Sequence, residues 1–341
     1  MAPSHPILVF GAANFGSPWG GPATTAEGFP GMVDALDRLG IKRIDTAAIY
    51  PAGGKPGDSE RIIAASGVAS HPAGFQVDTK VAWTLGQPQG TLTAEKVSAS
   101  AIKSLENLGV DKINVLYAHV PDPTTPLEEQ VEAFEEQRRK GRCREIGLSN
   151  FSPQMVEDWV AICKQKGYAV PSVYQGEYNL THRQEEATLF PVLRRHGIAF
   201  LAWSPLASGF LSGRLTAGAV DASSSRFADP GVVGGMLRAS LDRPELHAAV
   251  RALQPLLEAK GISHAAAALR WVAFHSVLRA DLGDGLVLGA SRVEQVEQNV
   301  AAIADGPLPD DVVRGIEDTR ANASAEQVAV VQKASKEAES K

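Results

Sequence analysis

The chain has 341 residues, of which 44% are hydrophobic and 21% are charged, a composition typical of globular proteins. Its formal net charge is −6, with acids and bases interspersed, so no basic patch or basic amphipathic run predicts binding to nucleic acid or to a membrane surface. Cys143 and Cys163 belong to no Cys/His cluster, so we expect neither a disulfide scaffold nor a metal site. Without a secretion signal or an apolar run of ~20 residues, the cytoplasm is the expected compartment.

Short strand-like runs alternate along the chain with longer helical stretches. The runs are Ile7–Phe10, Arg43–Asp45, Phe75–Lys80, Ile113–His119, Glu145–Leu148, Ser172–Gln175, Ile198–Ala202 and Leu286–Leu288. This alternation fits a parallel sheet with helical crossovers, either an open doubly wound sheet or a closed barrel. Eight units favour the barrel, so we predict an α/β protein with one (β/α)₈ TIM-barrel domain over residues 1–326.

Several helix boundaries follow from the sequence. Thr93–Leu108 has one apolar stripe and is followed by Gly109, so we predict a helix that stops there, and Gly40 is expected to end the first helix. Ser152-Pro153 is expected to open another helix. Capping-box spacing also occurs at Thr125–Glu128, with proline at the first helical position, and at Ser291–Glu294.

Two stretches are expected to lack regular structure. Residues 216–242 show no strong periodicity and are rich in small and polar residues, so we predict a long functional loop over residues 212–242 after the seventh strand. Residues 327–341 are expected to fray as a terminal tail.

Ionisable residues occur at the ends of three consecutive predicted strands. Asp45, Lys80 and His119 end these strands, and Tyr50 follows Asp45 in the loop. A barrel carries its chemistry at the carboxyl ends of its strands. A lysine near a tyrosine lowers the pKa of the phenol, an aspartate holds the lysine charged, and a histidine can hydrogen-bond a substrate oxygen.

Each of these residues also has an ordinary structural interpretation when taken singly. Asp45 could cap a helix, Tyr50 could be a packed aromatic, and Lys80 could be a solvated surface residue. His119 could be structural. The functional interpretation depends on all four residues occurring together in this strand order.

Several ordered motifs resemble those of the aldo-keto reductase superfamily. The stretch Ile44–Arg61 resembles the family signature, and the resemblance extends over residues 7–305 through Asp78–Lys80, Ala118-His119, Gly141-Arg142, Ile146–Asn150, Tyr174–Asn179, Trp203–Leu206 and Gly289–Arg292. The runs Tyr174–Asn179, Arg183–Glu186 and Arg226-Phe227 are similar to the aflatoxin-aldehyde reductase branch and its fungal relatives.

The resemblance implies an NADPH-dependent reduction of aldehydes or ketones to alcohols. It assigns the role of general acid to Tyr50, assisted by Lys80 and Asp45, with His119 orienting the carbonyl. The expected partner is a small-molecule carbonyl compound, and the chain is expected to be a monomer or a homodimer. Trp19, Trp83 and Phe227 could line an apolar pocket suited to hydrophobic aldehydes.

The resemblance also implies where NADPH or NADP⁺ would bind. Ser149, Asn150 and Gln175 would hold the nicotinamide carboxamide, and Trp203 would stack on the ring unless it is simply a core tryptophan. The pyrophosphate would lie along Ser204, Leu206, Ser208, Gly209 and Leu211. The 2′-phosphate would lie at the start of the last barrel helix, near Ser291, Arg292, Gln295, Gln298 and Asn299, with Arg226 as a second contact.

Other readings of that phosphate site and of the whole chain stay open. Ser291 could be only a helix cap and Arg292 only a solvated charge. A regulatory subunit that binds NADPH and a partner protein, as potassium-channel β subunits do, would retain the same residues. A metal-dependent barrel isomerase would need several ligands at strand ends, where Asp45, His119 and Glu177 occur. No GxGxxG motif follows a strand, which disfavours a Rossmann dehydrogenase.

Overall fold

A computed structural model of the chain describes residues 5–51, 54–84, 87–219 and 226–319. Eight parallel strands close into a barrel in chain order, each paired with its neighbour and the last with the first. The strands are β1 Ile7–Gly11, β2 Arg43–Asp45, β3 Gln76–Lys80, β4 Ile113–Ala118, β5 Cys143–Ser149, β6 Val173–Glu177, β7 Ala199–Trp203 and β8 Gly285–Gly289. The predicted single-domain (β/α)₈ barrel is confirmed, and strand ends shift from the predicted bounds by only a few residues.

Helices follow each strand in the chain, and the first seven strand-to-strand connections contain at least one of them. They are α1 Phe29–Arg38, α2 Asp58–Ala65, α3 Ala94–Leu108, α4 Leu127–Arg139, α5 Pro153–Lys166, α6 Leu189–His196, α7 Val232–Leu241, α8 Pro244–Ala259, α9 His264–Phe274 and α10 Val293–Ala304, with residues 310–319 also helical. None of the described helices combines the length and the apolar character that crossing a bilayer requires.

The helix ends confirm some of the predicted boundaries. The Thr93 hydroxyl accepts a hydrogen bond from the Lys96 backbone N–H, and α3 ends at Gly109 in the left-handed conformation, φ 63°. Ser152 caps α5 in the same way, with Pro153 as its first residue. Gly40 follows the end of α1 with φ 73°. Short polar side chains cap helices because they satisfy backbone N–H groups that have no partner inside the helix.

The two predicted capping boxes are wrong. The Thr125 hydroxyl donates to Asp122 Oδ2 at 2.6 Å, and α4 begins after Pro126 without a side-chain cap. The Ser291 hydroxyl and backbone N–H both donate to Gln295 Oε1, at 3.0 and 2.9 Å, and α10 begins after Arg292. In both places the helix begins one residue later than the capping-box spacing predicts, so the hydroxyl does not stand at the N-cap position.

The predicted loop at residues 212–242 contains regular structure. Helix α7 occupies Val232–Leu241, after a 3₁₀ turn at Arg226–Ala228. Leu241 is buried in an apolar cluster that also includes Phe210 and Val250, so tertiary burial stabilises a helix that periodicity did not indicate. Residues 220–225 of this stretch, and the predicted tail 327–341, lie outside the described residues.

The barrel interior is filled by side chains and is not a pore. One buried cluster consists of Val9, Val115, Tyr117, Val173, Leu201 and Val287. The partly buried Trp203 packs against it. Gly147 of β5 lies against this layer, and a Cβ atom there would come within 2.4 Å of the Tyr117 ring. Only glycine leaves room for the tyrosine at this point of the barrel wall.

Replacing Gly147 with alanine is therefore expected to lower the free energy of unfolding. Overpacking of a well-packed core costs about 1–3 kcal/mol. Chemical denaturation of the variant beside the unchanged protein measures this loss. Gly235→Ala in α7 is a matched control, because nothing lies within 4 Å of a Cβ placed at Gly235. Equal stability of G147A and the unchanged protein would contradict the packing described here.

Candidate active site

The carboxyl ends of the eight strands form one rim, because all the strands run in the same direction. Asp45 ends β2, Lys80 ends β3, and His119 directly follows β4. The inter-strand register places Asp45 beside Asp78 and Lys80 beside Tyr117. The predicted strand-end residues are thus brought to one side of the barrel, the side on which barrel enzymes carry their sites.

Asp45 and Lys80 form a buried ion pair. Lys80 Nζ lies 2.8 and 2.7 Å from the two carboxylate oxygens of Asp45 and donates to the Thr46 carbonyl at 2.9 Å. Only 1% of the lysine and 5% of the aspartate side chain are exposed, which excludes a solvated surface role for Lys80. Burial opposes the charge of the ammonium, but the acidic groups around it, Asp45 foremost, together outweigh burial, and the pKa of Lys80 lies above its ordinary value.

Tyr50 lies beside this pair. Lys80 Nζ is 5.2 Å from the centroid of the Tyr50 ring. Burial raises the pKa of the Tyr50 phenol, and the positive charge of Lys80 offsets only part of this effect. Lys80 by itself lowers the pKa of Tyr50, as expected, but the net shift of the Tyr50 pKa is upward. Tyr50 consequently retains its proton at neutral pH and lies next to a fixed positive charge.

His119 completes the group at the rim. Its ring centroid lies 5.8 Å from that of Tyr50, with the two rings nearly perpendicular at 88°. Burial, together with the charge of Lys80, lowers the pKa of His119 well below its ordinary value, so the imidazole is neutral at pH 7. The Asn150 side chain donates to the His119 carbonyl at 2.9 Å and so fixes the backbone at this position.

A second buried ion pair lies inside the barrel beneath the first and was missed at the sequence level. Arg43 Nε lies 2.6 Å from Asp78 Oδ2, Asn114 donates to Asp78 Oδ1 at 2.7 Å, and Asp78 is fully buried. Burial raises the pKa of Asp78 to about 6 despite these partners. Two-residue spacing on the strands could have revealed the pair, because Arg43 and Asp78 precede Asp45 and Lys80 by two residues and so face the same side.

The Asp78 carboxyl should make stability depend on pH. A buried acid whose pKa is raised in the folded state stabilises it most below pH 4, and this contribution is lost as the pH rises through about 6. We expect the free energy of unfolding to fall by ~2 kcal/mol, relative to an Asp78→Asn variant, between pH 4 and pH 7. Denaturation curves of both proteins across this range measure the difference. The unpaired Arg43 lowers the stability of the variant at every pH, so only the slope is diagnostic.

The residues predicted to hold a carboxamide lie next to each other, on β5, directly after β5 and on β6. Ser149 pairs in register with Gln175, and Asn150 Nδ2 contacts the Ser149 hydroxyl at 3.1 Å. Gln175 Nε2 also donates to Asp45 Oδ1 at 2.8 Å, so this side chain joins the predicted cofactor residues to the ion pair. The sequence did not indicate that contact, which links residues far apart in the chain.

The segment after β7 has an unusual backbone. Ser204, Ala207 and Ser208 have φ values of 52°, 46° and 57°, in the left-handed region that only glycine adopts without strain, and Gly209 has φ 95°. Asn179 Nδ2 donates to the Ser204 carbonyl at 3.0 Å and supports the first of these turns. Leu206 and Leu211 pack into the apolar cluster beside α7. Strain held by such contacts is typical of ligand-binding loops.

The predicted phosphate-binding residues surround the start of α10. Arg292 and Gln298 are exposed, Asn299 is partly buried, and Ser291 is bonded to Gln295. Within the described ranges Arg292 has no ion pair. Arg226 is partly buried, and burial lowers the pKa of its guanidinium. Among the residues that the structure describes, neither arginine has a carboxylate partner, and such a pair of arginines favours an anionic ligand.

The rim as a whole can protonate an oxygen atom. It combines a protonated phenol, a buried ammonium–carboxylate pair and a neutral imidazole. Across the described ranges of the chain, no three His, Cys, Asp or Glu side chains are grouped as metal ligands would be. Fold and site together define a TIM-barrel enzyme that would use acid–base chemistry at the carboxyl ends of β2, β3 and β4.

Comparison with known proteins identifies the family. The family model described as "Aldo/keto reductase family" matches residues 7–321, so the chain belongs to this family of oxidoreductases, which act on carbonyl compounds. Oxidoreductase sirO of Leptosphaeria maculans is 36% identical over 92% of this chain and 94% of its own length. Aflatoxin B1 aldehyde reductase member 4 of Homo sapiens is 32% identical over 92% of this chain and 93% of its own length. The resemblance noted in the sequence is confirmed.

Proposed function

We propose that the protein reduces aldehydes or ketones to alcohols with NADPH as the reductant. The observation that carries this proposal is the grouping of Asp45, Lys80, Tyr50 and His119 at one edge of the barrel. Family membership establishes an oxidoreductase of carbonyl compounds, and these four side chains supply the acid that such a reduction requires.

Tyr50 is the proton donor in this proposal. Reduction of a carbonyl places negative charge on its oxygen, which must receive a proton to give the alcohol. The raised pKa of Tyr50 keeps the proton available, and Lys80 stabilises the phenolate left after the transfer. Asp45 keeps the ammonium charged and in position, since it contacts Nζ through both carboxylate oxygens. His119, held neutral, can donate a hydrogen bond to the carbonyl oxygen without competing as an acid.

The residues present fit a nicotinamide dinucleotide. When bound, the reduced nicotinamide supplies hydride from C4 to the carbonyl carbon. Ser149, Asn150 and Gln175 offer amide and hydroxyl groups for its carboxamide, and Trp203 at the end of β7 offers an aromatic face. The pyrophosphate would lie along the strained segment from Ser204 to Leu211, which includes Leu206, Ser208 and Gly209. The adenosine ribose would be bordered by residues at the start of α10, namely Ser291, Gln295, Gln298 and Asn299.

Arg292 is the main determinant of the preference for NADPH in this proposal, with Arg226 as a second contact. We expect Arg292→Met to raise the KM for NADPH by about 10- to 100-fold, as expected for loss of a charge-assisted hydrogen bond. The KM for NADH should stay unchanged, because NADH has no 2′-phosphate. Arg251→Met is a matched control, since Arg251 is an exposed arginine on α8. Equal effects on both cofactors, or a preference of the unchanged protein for NADH, would contradict this assignment.

A panel of carbonyl compounds tests the function itself. Absorbance of NADPH is followed with hydrophobic aldehydes such as 4-nitrobenzaldehyde, with short aliphatic aldehydes and with ketones. Turnover at an ordinary enzymatic rate, median about 10 s⁻¹ across enzymes, is expected for at least one class. Tight NADPH binding without turnover of any compound would instead favour a regulatory subunit of the same fold. Sedimentation of the same preparation distinguishes a monomer from a homodimer.

A further inference from the structure

Two polar atoms beside the candidate site are buried without a hydrogen-bond partner in the described part of the chain. They are Nδ1 of His119 and Nε1 of Trp83, in the segment between β3 and α3. The two rings are neighbours, with centroids 5.9 Å apart and planes at 78°. Buried polar atoms are nearly always paired, so two unpaired atoms on adjacent rings require an explanation.

The chemistry of the two atoms is complementary. An indole Nε1–H can only donate a hydrogen bond, whereas a neutral imidazole has one donor nitrogen and one acceptor nitrogen. His119 is held in the neutral form by burial and by the nearby charge of Lys80, which lower its pKa. The indole can therefore pair with Nδ1 only if Nδ1 carries no proton, which leaves the proton of the imidazole on Nε2.

We propose that Trp83 is a positioning residue whose indole N–H hydrogen-bonds to His119 Nδ1, directly after a small ring rotation or through one bridging water molecule. This contact fixes both the tautomer and the orientation of the imidazole. His119 then presents Nε2–H to the substrate carbonyl, on a ring that lies perpendicular to Tyr50. The inference rests on the proposed function for its consequence in catalysis, but the tautomer itself is a property of the protein alone.

The tautomer is measured directly by ¹⁵N–¹H correlation spectroscopy of the imidazole side chains. The chain has 8 histidines, and a His119→Gln variant assigns the signal of His119. We expect a protonated Nε2 and an Nδ1 whose shift shows hydrogen-bond acceptance. Trp83→Phe keeps an aromatic ring but removes the N–H, so the Nδ1 signal should move to that of a free acceptor or to a mixture of tautomers.

Trp159→Phe is the matched control. Trp159 is also a buried indole, but it packs against Phe134 and Phe151, at 5.7 and 5.6 Å, in the helical shell. W159F should leave the His119 signals unchanged. Circular dichroism and Tm confirm that both variants are folded. If W83F leaves the His119 tautomer and Nδ1 shift as they are in the unchanged protein, the proposal is overturned.

Kinetics with the best aldehyde of the panel supply the second readout. We expect W83F to lower kcat by about tenfold, because the population of the productive tautomer falls. The pH profile should change as well, since the pKa of an imidazole without its partner differs, whereas a purely structural defect would lower the rate equally at all pH values. Absence of any turnover would overturn the proposed function without affecting the spectroscopic result, so the two failures are distinguishable.

Discussion

Replacing Tyr50 with phenylalanine is expected to lower kcat for aldehyde reduction by about a thousandfold, within the range of about 10² to 10⁴ that general acid catalysis contributes. The substitution removes the hydroxyl proton but keeps the ring that packs against His119 at 5.8 Å. The affinity for NADPH should change little, since the phenol is assigned to the carbonyl oxygen. Stopped-flow turnover and fluorescence titration of NADPH measure the two quantities separately.

Tyr168→Phe is the control for this experiment. Tyr168 lies outside the barrel, where the guanidinium of Arg139 is 4.8 Å from its ring, and loss of its hydroxyl should leave kcat unchanged. Undiminished turnover by Y50F would eliminate Tyr50 as the acid. A comparable loss in both tyrosine variants would point to a general effect on folding, which Tm measurements would reveal.

Replacing Lys80 with methionine is expected to lower both activity and stability. The carboxylate of Asp45 would stay buried without its countercharge, with Gln175 as its one remaining described side-chain donor. Removing one partner of a buried ion pair costs about 3–5 kcal/mol. Turnover should also fall, because the phenolate of Tyr50 would lose the ammonium that lies 5.2 Å from its ring centroid. Urea denaturation and steady-state kinetics measure the two effects.

The double variant Lys80→Met/Asp45→Asn separates the two effects. Removing both charges should restore much of the stability, because no buried carboxylate is left unpaired. Activity should remain low, because the charge beside Tyr50 is still missing. If the double variant recovers activity together with stability, Lys80 acts only in folding and not on the acid.

The fold was predictable because its signals are local and repeated. Each strand of a parallel barrel is buried on both faces and reads as a short apolar run, and each crossover needs a helix. Eight such units give the barrel its strand order without knowledge of any contact. Helix α7 was missed because its residues lack periodicity, and it is stabilised by contacts such as that of Leu241 with the cluster around Phe210.

The grouping of the candidate residues at one rim was predictable from the sequence, but their electrostatics were not. Asp45, Lys80 and His119 could be placed together because parallel strands bring their carboxyl ends to one rim. The sequence alone thus determined the barrel, the family resemblance and the four side chains at the rim.

Only the tertiary structure decided the pKa shifts and the contacts of those side chains. Burial raises the pKa of Tyr50 more than Lys80 lowers it, and burial depends on side chains from the whole barrel. The contact of Gln175 with Asp45 and the pairing of Arg43 with Asp78 join residues on different strands. Trp83 and His119 also come into contact only in the folded barrel. Closure of the sheet sets both the distances between such side chains and the extent of their burial.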